Sequence, residues 1–225
     1  YCLIVFEILF MVSPFGLYYY SIYSIPLNWL QQSSLTAWTT SHILPHFTYT
    51  GSVLSNALMI VSWPLILMGL MLFFWGFAQI YWSKLTGNTK VERGLYRHIR
   101  HPQYVALAIL GLGTTIYWSR FLVLMAYASM MFVYYFLAKH KEEACLTKFG
   151  EAYRDYQEKR GMFLPKQWLT WLPDLNPFLP TGGWRRIAAL LVIYASFVTA
   201  SVAGGWWVKH RVLDQITIHA ADGLT

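Results

Sequence analysis

Charge is what this chain has least of. Only 12% of its 225 residues are Asp, Glu, Lys or Arg, about half the share found in a soluble domain. With 56% hydrophobic residues and a mean hydropathy of +0.40, the shortage excludes an ordinary water-soluble globule and indicates an integral membrane protein. Acids are scarcer still, 10 against 17 bases, for a formal net charge of +7. That excess is no nucleic-acid footprint. Fourteen of the 17 Lys and Arg lie in two blocks, 84–100 and 139–186, each beside apolar segments, as cytoplasmic loops do. Two cysteines, Cys2 and Cys145, exclude a disulfide framework. There is no internal repeat, and no cleavable leader with a charged start and a small-residue site. The first residue is Tyr1, as in a processed chain or a piece of a longer one.

What is present is apolar length. Residues 1–23, broken by Pro14, are long enough to span a bilayer. Residues 24–52 carry no charged side chain but hold Trp29, Trp38, His42, Pro45 and His46, which suits an interfacial or re-entrant loop. Val53 to Trp82, with Pro64 inside, predicts one tilted or kinked span. Val105–Trp118 and Phe121–Leu137 are joined only by Ser119-Arg120, which predicts a tight helical hairpin. The block from Lys139 to Lys166 reads as a helix, with Ala144, Cys145, Phe149, Ala152, Tyr153 and Tyr156 at helical spacing. A Trp- and Pro-rich linker follows over 167–183, then a fifth apolar run, Ile187–Val208, and a polar tail. The pattern predicts an all-α, multi-pass integral membrane protein with about five transmembrane helices and both basic blocks cytoplasmic. It divides into a first span and aromatic loop (1–52), a membrane core (53–165), and a linker, further helix and tail (166–225).

The core is organised around Gly94-Leu-Tyr-Arg-His-Ile-Arg-His-Pro-Gln-Tyr104. Cationic side chains at a membrane boundary are costly unless they face water or hold an anion. Pro102 biases Arg100-His101 toward an extended or turn conformation and can open the next helix, so Arg100, His101 and backbone N–H groups gather at a helix N-terminus, a natural anion seat. A loop that merely fixes topology is the plainer reading of the same charges. Gly111-x-Gly113 fits close helix packing, and Arg120 a hairpin-tip anchor reaching the headgroups. His42 and His46 have i,i+4 spacing, but Pro45 interrupts the turn. The expected topology also sets them across the membrane from His98, His101 and His140, so no metal centre is expected.

Gly94-x-Tyr96-x-x-x-Arg100-His101-Pro102-x-Tyr104, then a hairpin, then Glu142-Glu143-Ala-x-Leu146-x-x-Phe149-Gly150-x-x-Tyr153-x-x-Tyr156 and Phe163-Leu164-Pro165 resembles the isoprenylcysteine carboxyl methyltransferase family. That family is related to phospholipid N-methyltransferases, and the resemblance covers about residues 53–165. It implies S-adenosylmethionine as cofactor, a cytoplasmic-side pocket for it, and a lipid-linked or amphipathic methyl acceptor reached through the bilayer. The implied cofactor-binding residues are Tyr96, Arg100, His101, Pro102, Tyr104, Glu142 and Glu143, with Thr89 to Glu92 lending backbone to the adenosine. A carboxylate suits Arg100 or His101, an ammonium suits Glu142 or Glu143, and Tyr96 and Tyr104 suit adenine or a sulfonium. The family's glutamate pair stands one residue further from Phe-Gly than here, so the ammonium ligand stays open between Glu142 and Glu143. The resemblance implies no catalytic acid or base, since methyl transfer to a good nucleophile needs alignment more than proton transfer.

Sterol reductases look similar over the same span, with Arg100-His101-x-x-Tyr104 and Lys148-Phe149-Gly150, which makes an NADPH-dependent membrane reductase the alternative. A carboxylate pair suits an ammonium and repels the 2′-phosphate of NADPH, which favours methyl transfer. A non-enzymatic membrane scaffold is the third possibility. The topology is testable by itself. Single cysteines at Lys90 and Lys159 should be labelled from the same side of the membrane, and labelling from opposite sides overturns the arrangement.

Overall fold

A computed structural model describes residues 2–20, 24–45, 50–85, 94–168 and 183–222. They form seven α-helices: α1 Cys2–Tyr20, α2 Ser24–Gln31, α3 Val53–Leu85, α4 Pro102–Tyr117, α5 Phe121–Phe149, α6 Glu151–Lys159 and α7 Gly183–Asp222. The described residues contain no strand beyond two isolated bridges. Three helices are long and apolar enough to cross a membrane, over Val53–Ser83, Phe121–Phe149 and Ala188–Ile216. Their large side chains, among them Met71, Phe74, Trp75, Leu191 and Val192, stand exposed, which suits lipid rather than water. The sequence pattern anticipates about five spans. The other two runs are shorter: α1 has 19 residues and α4 has 16, where a full crossing needs about 20.

Three boundaries differ from the sequence pattern. The second basic block is not one helix. Gly150 takes a left-handed φ of 55°, a conformation that favours glycine, and it separates α5 from α6. The polar tail is helical through Asp222 as part of α7. The aromatic loop is partly helical, with α2 and a 3₁₀ turn at Ala37–Thr40. His46 and most of the Trp- and Pro-rich linker lie outside the described residues.

The chain forms two compact units: Tyr1–Ile66 with Gly111–Phe132 and Leu191–Thr225, and Leu67–Leu110 with Val133–Leu190. The first is built on close helix approach. A Cβ on Gly111 would stand 2.9 Å from Tyr127 and Met130, and one on Gly113 2.9 Å from Ile66 and the Ser62 carbonyl, so both glycines of Gly111-x-Gly113 serve packing. The buried Tyr18 hydroxyl donates to the Gly111 carbonyl at 3.0 Å and shares hydrogen bonds with Thr114 and Thr115 at 2.7 and 2.9 Å. The tip of the α4–α5 hairpin is clasped by the aromatic loop. Ile43 N–H donates to the Ser119 carbonyl at 2.6 Å and Phe121 N–H to the Ser41 carbonyl at 3.3 Å. Arg120 Nε donates to His42 Nε2 at 3.1 Å, so this cation is tied to protein rather than only reaching for headgroups. Beneath the clasp Ile43, Leu44, Phe121 and Val212 form a buried apolar cluster.

In the second unit α3 and α4 touch at Gly69, where a Cβ would come 2.5 Å from the Leu110 backbone nitrogen. Tyr18→Phe should destabilise the protein by about 1 kcal/mol, the net worth of a buried hydrogen-bonded hydroxyl. Thermal unfolding in detergent checks this, and an unchanged midpoint would mean the hydroxyl network contributes nothing.

Candidate functional site

The second unit places the Gly94–Tyr104 stretch with care. Gly94–Arg97 is a 3₁₀ turn, and Gly94 has φ 61°, where L side chains are strained. A Cβ there would also collide with the Gln79 amide of α3. Gln79 Oε1 in turn accepts from Leu95 N–H at 3.3 Å. The motif therefore requires glycine at position 94 on two counts. The next residues pair with the segment after α6: Arg100 N–H donates to the Gly161 carbonyl at 3.0 Å and His101 N–H to the Met162 carbonyl at 3.1 Å. Tyr156 completes the dock, its hydroxyl donating to the Tyr96 carbonyl at 2.7 Å. Pro102 is the first residue of α4, as its fixed φ and missing N–H favour.

At the centre is one carboxylate. Glu142 is 4% exposed. Its Oε1 lies 3.1 Å from Arg100 Nε and 3.2 Å from His101 Nε2, and its Oε2 accepts from Gln157 Nε2 at 3.1 Å. Arg100 Nε stands off the line of a hydrogen bond, so that contact is an ion pair. A carboxylate only accepts, so His101 carries its proton on Nε2. Burial holds the His101 pKa below its ordinary value, against the pull of Glu142. At neutral pH the knot is therefore Arg100⁺ with Glu142⁻ and a neutral histidine, a balanced pair that a poorly hydrated site tolerates.

Tyrosines surround it. Tyr104 stacks on Tyr134 at 4.8 Å and on His101 at 5.6 Å, and Lys141 Nζ lies 5.3 Å from its ring centroid. Tyr96 and Tyr104 are 5% and 3% exposed, yet neither hydroxyl has a hydrogen-bond partner among the described residues. Burial, helped by nearby Tyr156, pushes the Tyr96 hydroxyl well above its usual range, so it is a neutral donor.

Of the residues singled out from sequence, Arg100, His101, Tyr104 and Glu142 come together, with Tyr96 in the 3₁₀ turn before them and Pro102 opening α4. Glu143 is exposed, as are Arg97 and His98. Thr89 to Glu92 lie outside the described residues. Sequence reasoning missed Gln79, Gln157 and Gly161. A Cβ on Gly161 would collide with the Leu164 carbonyl. Gln79 is a polar residue inside an apolar helix, a signal that was available; Gln157, on an exposed-looking helix, gave none. Gly94→Ala should cost at least about 2 kcal/mol through left-handed strain and collision. Unfolding in detergent measures it, and a variant as stable as the wild type would mean the turn is held differently.

The phospholipid methyltransferase family matches residues 57–152. A protein-S-isoprenylcysteine O-methyltransferase of Schizosaccharomyces pombe is 31% identical over 76 residues, which are 33% of this chain and 32% of that protein. The match thus spans about a third of the length of this curated relative. No solved structure matches. The matched region contains Gly94, Arg100, His101 and Glu142, whereas Tyr156, Gln157 and Gly161 follow it. Through residues 57–152 the chain is similar to the membrane methyltransferases that these two matches represent.

Proposed function

We propose that the protein transfers a methyl group from S-adenosylmethionine to a lipid-soluble or amphipathic acceptor at the cytoplasmic face of a membrane, in a multi-pass fold of about five crossings. The observation that carries this reading is the convergence of Arg100, His101 and Glu142, from both halves of the family motif, within 3.2 Å inside the region matched by a methyltransferase family.

The residues fit the cofactor. Arg100 meets Glu142 through Nε, and a guanidinium suits a carboxylate through its fork of terminal nitrogens. Glu142 accepts hydrogen bonds from His101 and Gln157 and has about four acceptor positions, which leaves room for an ammonium. Glu143, exposed, is the poorer candidate. The buried Tyr96 and Tyr104 hydroxyls lack partners among the described residues, and an unsatisfied buried hydroxyl costs about 1–3 kcal/mol, so a polar ligand group beside them is favoured. Tyr104 already has Tyr134 and His101 against its ring, which leaves Tyr96 the better placed of the two for adenine or the sulfonium.

S-adenosylmethionine supplies an electrophilic methyl on a sulfonium. The protein's part is to bind, orient and exclude water, and alignment alone can contribute several kcal/mol. The exposed apolar sides of α3, α5 and α7 suit an acceptor arriving from the bilayer.

Calorimetric titration of the detergent-solubilised protein with S-adenosylmethionine and with NADPH tests the reading. The wild type should bind the first. Arg100→Ala and Glu142→Gln should weaken binding about ten- to a hundredfold, as loss of a charge-assisted partner does, with Glu143→Gln near the wild type. Binding of NADPH alone would favour the reductase, and binding of neither at millimolar concentration would end both readings.

A further inference from the structure

Gln157 donates to the buried carboxylate from a segment that lies outside the matched region. It stands in α6, beyond the left-handed Gly150, and reaches back 15 residues to Glu142 Oε2 at 3.1 Å. The other oxygen, Oε1, takes both Arg100 and His101. A carboxylate rotates about its last bond, and with only Oε1 engaged it could swing to offer Arg100 either oxygen. The amide of Gln157 fixes the plane.

We infer that Gln157 is a positioning residue. It locks the Glu142 carboxylate against Arg100 Nε and His101 Nε2, so that the guanidinium keeps one orientation toward an anionic ligand group. For the cofactor this rests on the methyltransferase reading; for the geometry of the knot it does not. A carboxylate in place of the amide would restore the shape but not the charge. Two carboxylates in contact cannot both ionise readily, so the pair retains a proton at low pH and loses it as pH rises. The protonated pair can still donate one hydrogen bond, as the amide does. The charged or titratable groups around Glu142 are Arg100 and His101 from the turn, Lys139, Lys141 and Cys145 on α5, and Tyr153 on α6. They are common to variant and wild type, so the comparison at each pH isolates position 157.

The test compares Gln157→Glu and Gln157→Met with the wild type between pH 5 and pH 8. It reads thermal unfolding without ligand and affinity for S-adenosylmethionine. The folded pair's raised pKa gives stability that is present at low pH and lost as pH rises. Gln157→Glu should therefore melt close to the wild type at pH 5 and progressively below it toward pH 8, with affinity falling about tenfold or more over the same range. Gln157→Met, with similar bulk and no donor, should show a deficit that does not change with pH and an affinity several-fold weaker. A Gln157→Glu deficit constant with pH, or none at all, overturns the assignment, as does a folded Gln157→Met that binds like the wild type. If Gln157→Glu does not fold at pH 5, the shape has not been restored and the assignment also fails. If the wild type binds no S-adenosylmethionine, the functional reading falls, and the ligand-free melting curves still decide the role of Gln157.

Discussion

The second unit depends on a single buried carboxylate. An ionised glutamate at 4% exposure is tolerable only if its acceptor positions are filled and its charge is matched. Glu142 meets that condition with one guanidinium, one neutral imidazole and one amide. The three partners recruit two pieces of chain: the turn before α4 through Arg100 and His101, and α6 through Gln157. Backbone pairing of Arg100 and His101 with Gly161 and Met162 then joins those pieces to each other. The carboxylate thus decides how three segments meet, and the tyrosines fill the space around it.

The outline of this arrangement was legible in the sequence because membranes simplify the code. Apolar runs longer than about 20 residues have few alternatives to helix, so α3, the α4–α5 hairpin and the core of α7 could be read directly. Gly94, Arg100, His101, Pro102 and Tyr104 stood out because cations, a proline and aromatics crowd one boundary. Glu142 and Glu143 could not be told apart, since adjacent helical residues differ by about 100° in direction and only the packed neighbour decides which one is buried. The break at Gly150 was hidden because a helical period continues across it in the letters. Gln157 was hidden for a related reason: its partner lies on the other side of that break.

The first unit solves a different problem with similar means. A hairpin tip at Ser119-Arg120 leaves backbone groups and a cation without helical partners. The loop at Ser41–Leu44 supplies them, with Ser119 Oγ both accepting from Leu44 N–H at 3.1 Å and donating to the Leu44 carbonyl at 3.3 Å. Lys209 adds its Nζ near Ser41 Oγ at 3.4 Å, over the rings of Phe121 and Trp206. In both units irregular backbone is stabilised by polar side chains sent from a neighbouring segment.

The left-handed Gly150 has a consequence for how the protein is made. Glu142 follows His101 by 41 residues and precedes Gln157 by 15. At synthesis rates of about 5–20 residues per second, the first interval lasts roughly 2–8 s and the second about 1–3 s. The arginine and histidine therefore emerge first, the carboxylate joins them at the end of α5, and the amide comes last, brought back by the turn at Gly150. During biogenesis the ion pair can form before α6 exists, and α6 closes over charges that have already been neutralised.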